Sequence, residues 1–98
     1  MCGIIGINSQ SEVVSKTLKG LLKLEYRGYD SAGISFIGED KEISTMKVSG
    51  KIKLLQEITE QEKAQGTLAI SHTRWATHGE PSDRNAHPHS SEKISIVQ

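Results

Sequence analysis

Apolar and polar residues alternate along this chain with two different periods, and the changes of period mark out its elements. Residues 2–8, Cys-Gly-Ile-Ile-Gly-Ile-Asn, are β-branched and punctuated by glycine, which predicts a short buried strand. Ser9 and Glu12 stand in the capping-box relation, so a helix is expected to start at Ser9. Beyond it Val14, Leu18, Leu21 and Leu22 fall on one helical stripe with Lys16, Lys19 and Lys23 off it, and Gly28 is the expected stop. Residues 32–37 and 42–48 are rich in strand formers, and Gly38-Glu39-Asp40-Lys41 between them reads as a hairpin turn. A second helix is expected after Gly50, with Ile52, Leu55 and Ile58 on one face and Gly66 at its end. Residues 67–72 alternate as a strand with Leu68 and Ile70 on one side, and residues 94–97 form a last apolar strand.

Between His72 and His89 the periodicity is lost. All four histidines, the only tryptophan and both prolines of the chain lie in this stretch. A loop so rich in donors and titratable groups is costly to order unless something binds there. The chain stops inside its last apolar strand, without a turn or polar cap, which predicts that residues 1–98 are the first part of a larger domain.

Composition narrows the class of protein. A chain of 98 residues makes at most one domain. Twelve basic and twelve acidic residues cancel without clustering, so neither a nucleic acid nor an acidic membrane surface is an expected partner. The single cysteine excludes an internal disulfide, and the N-terminus has neither a basic n-region nor a long apolar h-region. A reducing, cytoplasmic location is expected. No apolar stretch approaches the ~20 residues of a spanning helix.

Candidate chemistry begins at Cys2. Removal of Met1 would leave a cysteine with its own α-amine, a group titrating near about 7.7–8.0 that accepts a thiol proton, and the pair suits acyl transfer. By position alone Cys2 reads rather as a small hydrophobe filling a strand, and it is its company further along the chain that favours the nucleophile. His87-Pro88-His89 invites a metal, but no third and fourth ligand stands at a compatible spacing, and hydrogen-bonded structural histidines are the commoner outcome; no metal and no cofactor is expected. Arg27-Gly28 reads as a turn after a helix, and Arg74-Trp75 as a surface cation–π pair. Taken together, a terminal thiol and two arginines supply a nucleophile and the forked donors that bind an α-carboxylate.

Four segments carry a resemblance over the whole length: Cys2-Gly3-Ile4, Glu25-Tyr26-Arg27-Gly28-Tyr29-Asp30-Ser31-Ala32-Gly33, His72-Thr73-Arg74-Trp75-Ala76-Thr77-His78-Gly79 and Asn85-Ala86-His87-Pro88-His89. They resemble the glutaminase domain of the class II, N-terminal-nucleophile glutamine amidotransferases. The resemblance implies an α+β fold, the four-layer αββα sandwich of the N-terminal-nucleophile hydrolases, of which this chain is the first part. It implies L-glutamine as substrate and Cys2 as the nucleophile that forms a γ-glutamyl thioester. Arg74 would grip the α-carboxylate, with Thr77 and His78 in the same loop; Trp75 would close the loop and gate the ammonia path, and Arg27 and Gly28 would orient the cysteine. It also implies an oxyanion-hole Asn-Gly pair just after Gln98. Within the family the Tyr-Arg-Gly-Tyr-Asp and Thr-Arg-Trp-Ala-Thr-His-Gly segments are similar to the branch that passes ammonia to fructose 6-phosphate on separate C-terminal domains and assembles as a homo-oligomer. An amidophosphoribosyltransferase-type fragment and a non-catalytic binding module are the alternatives.

Overall fold

The computed structural model describes residues 2–27, 30–75, 82 and 84–98. Four strands form one antiparallel sheet: β1 (Gly3–Asn8), β2 (Ser31–Ile37), β3 (Ile43–Ser49) and β4 (Leu68–Arg74), in the order β1-β4-β2-β3. Helix α1 (Val14–Leu22) lies against β1 and β4, and helix α2 (Ile52–Gln61) lies against β2, β3 and α1. A ribbon of two short strands, β5 (His89–Ser90) and β6 (Ser95–Ile96), completes the described elements.

Strand alternation decides which side chains meet the helices. Ala32, Ile34 and Phe36 of β2, Val48 of β3 and Ala69 of β4 point to the helical side and join Val14, Leu18, Leu21, Ile52 and Leu55 in one core. Burying each of the large aliphatic side chains stabilises the fold by roughly 1.5–3 kcal/mol. The other face of the sheet carries residues of the opposite parity in cross-strand rows. Ile4, His72, Gly33 and Lys47 form one row, and Gly6, Ile70, Ser35 and Thr45 the next. The ribbon lies over this face. The hydroxyls of Ser35, Thr45, Ser90 and Ser95 bond one another at 2.6–3.2 Å, tying β5 and β6 to β2 and β3. Helix, sheet and ribbon are thus three successive layers of an α+β fold, in keeping with part of an αββα sandwich.

The expected strands and helices are present, with shifted ends. The capping box is not formed: α1 starts at Val14, its N-cap Val13 makes no side-chain cap, and Glu12 Oε1 instead accepts from the Val14 N–H. Tertiary pairing explains the delay, since Ser9 N donates to Thr67 O at 2.8 Å and Val13 N to Gly66 O at 2.8 Å, holding residues 9–13 against the entry to β4. The helix ends at Leu22, ahead of the expected Gly28, and a 3₁₀ turn (Glu25–Arg27) follows. Leu22, placed on the stripe by sequence, is 44 % exposed. β4 runs on to Arg74, two residues past the predicted end, because it is paired on both sides by β1 and β2. The predicted strand at residues 94–97 shortens to Ser95–Ile96.

Candidate functional site

Cys2 is free, half-buried, and immediately precedes β1. Continuing the β1–β4 register one step beyond Gly3↔Thr73 sets Cys2 across from Arg74, and Arg74 is in turn paired with Ser31 of β2. Directly opposed residues of antiparallel strands share a face, so Arg74 and Ser31 form a row at one end of the sheet, on the side away from the helices, and the extended register leads Cys2 to that same end. The cysteine's neighbour must be small at this point. A Cβ on Gly3 would lie 2.8 Å from Leu24 Cβ and 3.1 Å from Thr73 Cγ2, so a side chain there would push the strand, and Cys2 with it, off the sheet.

The backbone around this row is cross-tied. Asp30 N donates to Arg74 O at 3.0 Å, and Gly50 N donates to Asp30 O at 2.9 Å, so the start of β2 is fixed to the end of β4 and to the entry of α2. The 3₁₀ turn is held from the same side: Glu25 Oε2 accepts from Ile52 N at 3.0 Å and satisfies one of the free amides at the N-terminus of α2. A carboxylate there also meets the positive end of the helix dipole.

The sequence-predicted residues are placed unequally. Cys2, one step before β1, and Arg74, the last residue of the neighbouring β4, lie at the same end of the sheet; Trp75 follows β4 directly and is 47 % exposed. Arg27 closes the 3₁₀ turn, and its side chain is outside what the structure describes. Gly28, Thr77 and His78 lie outside the described residues. Ser31 was not singled out by sequence reasoning for its own chemistry. Its hydroxyl is buried with no hydrogen-bond partner, in the same row as Arg74 and at the end of the sheet where Cys2 enters β1. Only the register could have found it, because Ser at the start of a strand is otherwise unremarkable.

Behind this row sits a histidine cluster. The His72 ring is fully buried and its Nε2 donates to the Gln98 carbonyl; since a carbonyl only accepts, Nε2 carries the proton and Nδ1 is a bare lone pair. That Nδ1 has no partner, and neither has the buried Nδ1 of His87. The two rings stack with centroids 4.4 Å apart, and His89 stands 4.3 Å beyond His87, tilted by 55°. Burial is the main cause that lowers the pKa of both His72 and His87, the latter to about 4; at His72 the Gln98 carbonyl opposes the shift while Arg74 and His89 add to it, and at His87 the charges of His72, His89, Arg74 and Lys47 add to it. Among the described residues no three His, Cys, Asp or Glu side chains are placed to share a metal ion.

No helix of the described chain is long and apolar enough to cross a membrane. No family model matches the chain. Individual proteins do. It is 48 % identical over 97 residues to glutamine–fructose-6-phosphate aminotransferase (isomerizing) of Pectobacterium atrosepticum, and 52 % identical over 99 residues to the enzyme of that name from Clostridium tetani. Each match covers 99 % of this chain and 16 % of the relative, so the chain spans about one sixth of those proteins. Among solved structures it superposes on the glutamine phosphoribosylpyrophosphate amidotransferase of B. subtilis with a TM-score of 0.75 and 28 % identity, over 97 % of this chain and 20 % of that one.

Proposed function

Because the chain belongs to the N-terminal-nucleophile glutamine amidotransferases, matching part of the glutamine–fructose-6-phosphate aminotransferases, we propose that it hydrolyses L-glutamine at Cys2. The observation that carries the reading is the placement of a free cysteine one step before β1, at the end of the sheet where the neighbouring strand β4 ends in Arg74. With Met1 removed, the α-amine of Cys2 takes the thiol proton. Sγ then attacks the carboxamide carbon of glutamine, and the carbonyl π electrons move to oxygen. As the tetrahedral adduct collapses, the C–N bond breaks, the amine returns its proton to the leaving nitrogen, and ammonia departs. A γ-glutamyl thioester remains on Sγ. Water, deprotonated by the same amine, adds to the thioester; the C–S bond breaks and glutamate is released.

Arg74 supports binding by offering a fork of N–H donors to the α-carboxylate, a geometry that Lys does not reproduce. By the resemblance Thr77 and His78 belong to the same substrate loop, Trp75 helps close that loop and gate the ammonia path, and Arg27-Gly28 orients the nucleophile. In the native polypeptide the ammonia would pass to fructose 6-phosphate on C-terminal domains. We place the protein in the cytoplasm, as a homo-oligomer.

The test uses the native polypeptide, with and without Cys2→Ala. Glutamine hydrolysis should fall by several orders of magnitude in the variant, and a diazo-ketone analogue of glutamine should add one inhibitor mass on Cys2 of the unsubstituted protein. Labelling on a histidine, or near-full activity in the variant, overturns the reading.

A further inference from the structure

The segment 84–98 is held on the open face of the sheet at two places, and they differ in chemistry. One is the hydroxyl cluster of Ser35, Thr45, Ser90 and Ser95. The other is the histidine stack, where β4 contributes His72 and the segment contributes His87 and His89. The approach at the second place is close. A Cβ on Gly33, next to His72 in its row, would stand 2.0 Å from the carbonyl oxygen of His87 and 2.9 Å from Pro88 Cδ, so the segment rests directly on the backbone of β2. Pro88 and Ala86 are buried there.

Such a contact admits neutral rings and penalises charged ones. In the neutral state His72, with its proton on Nε2, presents only a lone pair at its buried Nδ1, whose loss of water is tolerable, and the buried Nδ1 of His87 likewise meets no partner. A proton on either Nδ1 would create a buried N–H⁺ with no acceptor, 4.4 Å from a second ring. The Gln98 carbonyl on Nε2 of His72 offsets part of that penalty, and the charged groups acting on the pair add to it. Arg74 on the same strand acts on both rings, Lys47 of β3 acts on His87, and His89 acts on both from the ribbon. Every one of these is cationic or becomes so in acid.

We propose that the stacked His72–His87 pair is an acid-sensitive latch, which holds segment 84–98 on the sheet while both rings are neutral and releases it when one takes a proton. Release would uncover the row of His72 and Gly33, which adjoins the row of Arg74 and Ser31. The latch rests on ring geometry and burial and holds whether or not Cys2 is a nucleophile. Its sign follows from linkage. The docked rings bind protons less readily than the released ones, which return to the ordinary value near 6.5, so docking is fully favoured above that pH and weakens as pH falls toward about 4.

The experiment is hydrogen–deuterium exchange on the native polypeptide, with rates corrected for the intrinsic pH dependence. Between about pH 7.5 and pH 5, protection of the β5–β6 amides should fall on the order of tenfold or more, with the α1 amides the better protected throughout. His87→Phe keeps a ring to stack but takes no proton, and should flatten that fall. An equal fall in the variant overturns the latch, as does a ribbon that exchanges only at the rate of α1. Imidazole ¹³C shifts of His72 and His87 in the unsubstituted protein decide the matter even if the variant fails to dock. Protonation of one of them must accompany release; release with both rings neutral, or protonation without release, overturns the proposal.

Discussion

Gly33, Ser31 and Arg74 show how much of this molecule turns on single positions of the open sheet face. Gly33→Ala adds one methyl group against the His87 carbonyl, at a hypothetical 2.0 Å, so either β2 or segment 84–98 has to move. Overpacking of that kind costs typically about 1–3 kcal/mol, and urea unfolding of the variant should show a loss in that range. Ser31 behaves in the opposite sense. Its hydroxyl is buried without a partner, a state that is costly in itself, so Ser31→Ala should leave stability unchanged or slightly raised. A loss above about 1 kcal/mol would reveal a hydrogen bond that this structure does not form. If activity falls while stability holds, the hydroxyl serves the site and not the fold. Arg74→Lys preserves charge and loses the fork; with hydrogen bonds to charged groups worth about 1.5–3 kcal/mol, kcat/KM for glutamine should fall by about ten- to a hundredfold. An unchanged glutamine dependence would remove Arg74 from the site.

At the scale of elements, the ends of helices separate what sequence shows from what the fold imposes. The stripe of Val14, Leu18 and Leu21 and the face of Ile52 and Leu55 were legible, because helical spacing of large aliphatic residues has few other outcomes. The start of α1 was not, because Ser9 and Val13 are pulled to the 66–67 backbone by pairing that no local pattern encodes. The two accounts make different forecasts. Glu12→Ala removes the acceptor of the Val14 amide and should cost roughly 0.5–2 kcal/mol, whereas Ser9→Ala, expected to cost as much from a capping box, should cost less than Glu12→Ala. Equal losses would favour the box. Glu25 was likewise read only as part of a motif, although its carboxylate caps α2 from a turn distant in sequence. Glu25→Ala should lower stability by a similar amount and also slow glutamine turnover, since the same turn carries Arg27.

For the whole molecule, the joint pattern of motifs pointed to a candidate site, but which of its residues share one end of the sheet depends on strand register. Cys2 and Arg74 are distant in sequence, and nothing in either segment states that Gly3 pairs with Thr73 while Ser31 pairs with Arg74. Likewise the spacing of His87 and His89 was legible, but not that His72 from a distant strand would stack on His87, with the Nδ1 atoms of both rings buried and without a partner. That stack couples local and global behaviour. In the released ribbon and in the fully unfolded chain His72 and His87 both face water and regain the ordinary imidazole pKa, so acid penalises the docked fold equally against either state. Ordinary carboxylates titrate near about 4, and the imidazoles therefore dominate any change between about pH 6.5 and pH 5. The folded pKa is lowered, so the stabilisation is present above about 6.5 and lost as pH falls toward about 4. Protection of the α1 and α2 core amides should accordingly decline across this window by the same factor as protection of β5 and β6, for as long as the docked state predominates, although it starts from a higher level. Core protection that stays constant while the ribbon amides decline would mean that the two histidines carry their proton in the folded protein or that they stay packed in the unfolded one. Either result would contradict the burial of neutral rings from which the acid sensitivity of this fold follows.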